Sequence, residues 1–161
     1  MNNKKLVRLL YPLQTVAVPE FVVARKFVEG RTVDGVSIGS LTEFFKESLL
    51  DRTETGVEAG VMNVYKLLVS AKDLPEYGAP GVISRIGREQ KTRLAHFHQF
   101  LAHKQSKKDY AWAGAYLQCE EGEDDPFVVH AIWCCGGYHI GASKISCSRV
   151  WGAGQQFASL A

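Results

Sequence analysis

The chain is expected to fold as an α+β domain. The expected form is an antiparallel sheet with a C-terminal three-stranded meander, with a long amphipathic helix packed on one face. Three observations predict it. Short alternating or apolar runs open and close the sequence, as strands do. Between them, Val82 to Lys104 places apolar residues at helical spacing. Apolar residues make up 46% and charged residues 22% of 161 residues, the balance of one globular domain, so 1–161 is read as a single domain. That balance excludes disordered and low-complexity classes.

The elements follow in order. Leu6 to Tyr11 is a short apolar run closed by Pro12, and Phe21 to Val28 alternates in part. Gly30 and Asp34-Gly35 mark turns, and Asp-Gly is a strong hairpin pair, so Val33 to Ile38 reads as a short strand. Ser40-Leu41-Thr42-Glu43 has the spacing of a capping box, with Ser40 as cap. A helix over Leu41 to Leu50 follows, with Leu41, Phe44, Phe45 and Leu49 inward. Asp51 to Gly60 is polar and turn-rich. Val57 to Ala71 is apolar at both parities and reads as helix or buried strand, with helix preferred. Leu74 to Gly81 is a loop.

In the long helix, Ile83, Ile86, Leu94, Phe97, Phe100 and Leu101 share one arc. His96 and His103 fall opposite that arc and are expected in solvent; His98 sits at its edge and is expected to pack. Ala111 to Cys119, Phe127 to Cys135 and Lys144 to Trp151 read as the meander. Setting Cys119 opposite Phe127 places Ala113, Ala115, Leu117, Val129, Ala131 and Trp133 on one face, a floor of small residues for a helix. Trp112, Tyr116, Val128, His130, Ile132 and Cys134 take the other face. With Lys144 opposite Cys135, the third strand adds Arg149 and Trp151 to that second face.

An aromatic and apolar second face must be covered, by core, by another copy of the chain or by a ligand. Trp112, Tyr116, His130, Arg149 and Trp151 are therefore the expected ligand or interface residues. The leading functional reading is a non-enzymatic binding or interaction protein. It would assemble as a homo-oligomer through this face, with room for a small apolar or aromatic ligand. The alternative is a small enzyme with a Cys/His site at His130, Cys134 or His139. A third reading uses the basic residues Arg85, Arg88, Lys91, Arg93, Lys104, Lys107 and Lys108 to bind nucleic acid, although a solvated helix face explains them more simply.

No metal or cofactor is expected. Neighbouring strand residues point to opposite faces, so Cys134 and Cys135 should not meet one ion. No apolar run is long enough to span a membrane, and the four cysteines fall within 119–147 rather than forming a spread framework. A cytoplasmic protein with free thiols is the expectation. The net charge of +2 favours no partner by itself.

Overall fold

The computed structural model describes residues 7–68, 92–118, 127–144 and 153–161. Strands hold 51% of the described residues and helices 20%, which overturns the expected class: this is a mostly-β protein, not a long-helix α+β domain. The strands are β1 (Val7–Gln14), β2 (Val18–Val22), β3 (Arg31–Val33), β4 (Val36–Leu41), β5 (Thr53–Val57), β6 (Val61–Leu67), β7 (Ala113–Tyr116), β8 (Phe127–Cys134), β9 (Gly137–Lys144) and β10 (Gln156–Leu160). The helices are α1 (Val23–Lys26), α2 (Glu43–Ser48) and α3 (Leu94–Ser106). Among the described residues, eight strands form one sheet in the order β1-β6-β10-β7-β8-β9-β4-β3, and β2 pairs with β5 in a second. The large sheet is mixed rather than antiparallel, because β10–β7 and β4–β9 run parallel.

Several expected elements shift. The run preferred as helix is strand β6, which lies between β1 and β10 and buries Met62 and Val64. Asp51 to Gly60 holds strand β5, and Phe21 to Val28 is the end of β2 followed by α1. Pro12 does not end β1; it lies on a strand at the end of the sheet order, where a missing N–H costs no ladder bond. Thr42, not Ser40, caps α2: its Oγ1 accepts from Phe45 N at 3.2 Å. Phe44, expected inward, is exposed. The third meander strand is Gly137–Lys144, so Lys144 faces Phe127 rather than Cys135. The Asp34-Gly35 turn forms as expected, with φ of 47° and 81°, values that suit the twist of a hairpin.

The long helix is 13 residues, beginning at Leu94; positions 82–91 of the expected helix lie outside the described residues. Leu94 to His98 are all buried, and five consecutive residues cannot share one helix face. The start of α3 is therefore enclosed on every side. Glu54 of β5 caps it, its two carboxylate oxygens accepting from Leu94 N and Ala95 N at 2.9 Å each. His96 is also buried, with Nδ1 accepting from Arg93 N. Toward the other end, His103 packs on Tyr11 of β1 (5.2 Å between rings), and Gln105 bonds Ser37 of β4 at 2.8 Å. In a flat sheet those two strands, six spacings apart, would stand roughly 29 Å from each other. A helix is only about 10–12 Å across. The sheet must curl around α3 for both contacts to exist.

The concave floor is built for that approach. Val64, Ala158, Ala115, Val129 and Ala142 form one row across five strands, and all are buried. Alanines in this row leave space for helix side chains such as Phe97 and Phe100. The observed register differs from the expected one by two residues: Ala113 faces Ala131, and Ala115 faces Val129. A slip of two keeps every side chain on its face. No described helix is long and apolar enough to cross a membrane.

Candidate functional site

The convex face of the curled sheet carries most of the residues singled out in the sequence. One row runs Tyr65, Phe157, Gly114, His130 and Gly141 across β6, β10, β7, β8 and β9. Two glycines flank His130, and they shape the surface. A Cβ at Gly141 would come within 2.5 Å of the His130 ring, so the imidazole lies directly over that glycine. On its other side, His130 stacks on Trp112 with ring centroids 5.9 Å apart and planes 9° apart. Ile132, two residues further along the same face, is 47% exposed. Tyr116, Val128 and Phe157 share this face but are buried within the single chain. Tyr116 packs on Phe157 at 5.1 Å. Arg149 and Trp151, expected beside them, lie outside the described residues.

A polar pair adjoins Ile132. His139 is its cross-strand partner on β9, and Ser40 of β4 is the partner of His139. Ser40 Oγ lies 2.6 Å from His139 Nδ1, and His139 Nε2 lies 3.3 Å from the carbonyl oxygen of Cys134. A carbonyl only accepts, so Nε2 carries the proton and Nδ1 accepts from the Ser40 hydroxyl. Gly39 makes room for this ring. It is the extra residue of a bulge in β4, and a Cβ there would lie 3.2 Å from His139 Cε1. Ser40, expected as a helix cap, is bound instead to His139. Its partner is 99 positions away, joined only by a parallel strand pairing, so no local pattern marks it.

Cys134 does not meet His139 through sulfur. Its Sγ instead lies 3.2 Å from Sγ of Cys135, and both thiols are exposed. Strand parity fails here because Cys135 has left the strand. Cys135 and Gly136 form the two-residue turn between β8 and β9, with φ of 57° and 85°. That left-handed backbone turns the Cys135 side chain back toward Cys134. The hydrogen bond to Cys135, then its charge, and last a small contribution from burial raise the Cys134 thiol. Among the described residues no three His, Cys, Asp or Glu side chains are grouped to hold a metal ion.

The expected basic patch does not share one helix face. Arg85, Arg88 and Lys91 lie outside the described residues. Arg93 donates to the Thr55 carbonyl and lies 3.9 Å from Glu54. Lys104 is fully buried, its Nζ 2.6 Å from Gln156 Oε1 and 3.2 Å from Asp109 Oδ2. Burial pulls the Lys104 ammonium down. Burial also pushes the Asp109 carboxyl up, but the hydrogen bond from Gln156 and the charge of Lys104 outweigh it, and the group ends below its ordinary value. Burial, aided by Asp109, raises Tyr11 to about 12. Tyr138 is fully buried with an unpartnered hydroxyl and is raised by the same cause. Of the seven basic residues, Lys107 and Lys108 are exposed beyond the end of α3.

Comparison with family models, with curated proteins and with solved structures finds no match for this chain. The functional reading rests on the geometry alone.

Proposed function

We propose that the protein is a binding protein that holds a flat apolar or aromatic ligand on the convex face of its sheet, against Trp112, His130 and Ile132. One observation carries the reading. A half-bare isoleucine stands next to an aromatic stack whose rings are nearly parallel, on a face where the neighbouring large side chains are already buried. Apolar walls with a few convergent polar groups are the usual lining of a small-molecule site, and Ser40 and His139 supply the polar groups. The burial of Tyr116, Val128 and Phe157 in one chain favours a small ligand over a subunit interface, because among the described residues little of the aromatic face remains for a second copy.

The test is a thermal-shift screen of planar aromatic compounds. A ligand at about 100 times its Kd adds roughly 2.7 kcal/mol of stability, a shift easily read. Trp112→Ala should abolish the shift. A hit that shifts wild type and Trp112→Ala equally would place the ligand elsewhere.

A second reading is favoured by the 2.6 Å contact between Ser40 and His139. A hydroxyl on an imidazole that is itself oriented by a third group is the arrangement of a serine nucleophile and its base. Ser40 Oγ would attack an acyl carbonyl while His139 Nδ1 takes its proton. Labelling by a fluorophosphonate, lost in Ser40→Ala, would favour catalysis; an unlabelled wild type would leave the binding reading alone.

A further inference from the structure

The hairpin tip at the edge of this face carries a separate chemistry. Cys134 and Cys135 are adjacent in sequence, both exposed, with their sulfurs 3.2 Å apart. We propose that Cys134 and Cys135 form a vicinal dithiol that low-molecular-weight disulfides oxidise reversibly to a disulfide between neighbouring residues.

The step balances without a metal. The thiolate of one cysteine attacks a sulfur of an external disulfide, forming a mixed disulfide and releasing one external thiol. The neighbouring thiolate then attacks the protein sulfur of that mixed disulfide. The sulfur–sulfur bond to the external group breaks, the Cys134–Cys135 bond forms, and the second external thiol leaves. Two electrons pass from the protein to the external disulfide, and the two thiol protons end on the two released thiols.

Geometry favours this outcome over a lasting adduct. The second attack is intramolecular, between sulfurs already in contact, so ring closure outruns attack by a further external thiol. Either sulfur can donate in this contact, so either cysteine can make the first attack and the other close the ring. The ring is also poorly suited to be a permanent staple. Adjacent Cα atoms stand about 3.8 Å apart across a trans peptide. Ordinary disulfides span about 4.4–6.8 Å. A bond forced below that span is strained, and strained exposed disulfides are the readily reduced ones. The peptide that must adjust contains the Cys134 carbonyl, which accepts from His139 Nε2. Oxidation at the tip therefore disturbs the anchor of the His139 ring.

The experiment exposes the reduced full chain to a series of glutathione and glutathione-disulfide buffers. The samples are quenched with acid and read by intact mass and peptide mapping. Wild type should lose two hydrogens, with the loss mapped to the peptide holding Cys134 and Cys135, and excess reduced glutathione should reverse it. Cys134→Ser and Cys135→Ser should each retain one glutathione on the remaining cysteine. Three results would overturn the proposal: both thiols staying reduced throughout, a glutathione adduct persisting on wild-type Cys134 or Cys135, or the new disulfide mapping to Cys119 or Cys147. The wild-type map decides the matter even if a serine variant folds poorly.

Discussion

Lowering the pH should destabilise this fold through one residue, His98. Its ring is buried between Phe21 and Phe27, edge-on to both at 5.8 and 5.4 Å. Nε2 has no hydrogen-bond partner, while a backbone hydrogen bond ties the ring to Lys26. Burial lowers this imidazole from 6.5 to about 4. Above pH 6.5 the ring is neutral in both folded and unfolded chains, and the protein keeps its full stability. Below 6.5 the unfolded chain takes up a proton that the folded chain refuses. Stability is then lost until about pH 4, where folded His98 titrates as well. At roughly 1.4 kcal/mol for each pH unit, the whole window is worth about 3 kcal/mol, and the part between pH 7 and pH 5 about 2 kcal/mol. The assay is urea unfolding of wild type and His98→Leu at pH 7 and pH 5. The leucine fills a similar volume but cannot titrate. Its stability at pH 7 should be lower by about 1 kcal/mol, for the lost hydrogen bond to Lys26. The stability of wild type relative to the variant should fall by about 2 kcal/mol on going to pH 5. A difference that stays constant between the two pH values would refute the reasoning.

Other substitutions probe the same architecture. Glu54→Ala removes both acceptors at the start of α3 and leaves two enclosed N–H groups unpaired, so urea unfolding should show a loss of about 3 kcal/mol. Gly141→Ala drives a methyl into His130, which should cost roughly 1–3 kcal/mol and shift the fluorescence of Trp112 as the stack is pushed aside. Lys104→Met should be tolerated, since it exchanges a buried cation for an apolar chain of similar shape. Gln156→Leu should lose about 1.5–3 kcal/mol, because it takes a hydrogen bond from that buried cation, although Asp109 stays paired with it. Equal losses in the last pair, read by thermal unfolding, would argue against a costly buried charge.

The sequence carried the faces of the sheet better than its connectivity. Period-two alternation put Ala113, Ala115, Val129 and Ala131 on one side and Trp112, His130 and Ile132 on the other. A two-residue error in register could not change that. Asp34-Gly35 announced its hairpin because the turn needs residues that tolerate positive φ. β6 mimics a helix because Val61, Val64, Tyr65 and Leu68 fall at helical spacing, whereas in the sheet Met62 and Val64 are buried on one face and Val61 and Tyr65 stand half-buried on the other. The fold class failed for a related reason: α3 is short, and the surrounding strands outnumber it.

At the site, Trp112 and His130 were legible as aromatic members of one face. Ser40 was not, because Ser40 and Thr42 are both cap residues by type and only the tertiary structure selects Thr42. Cys134 and Cys135 were set apart by a strand rule that stops applying where the turn begins.

The central claim is that a flat ligand sits against Trp112, His130 and Ile132. Methyl-labelled isoleucine offers the most direct check. Ile132 is half exposed on the convex face, whereas Ile38 and Ile140 are buried on the concave side. On titration with a planar aromatic compound from the screen, the Ile132 methyl signal should move in a saturable way while those of Ile38 and Ile140 stay in place. A saturable shift at Ile38 or Ile140 with Ile132 unmoved would contradict the account.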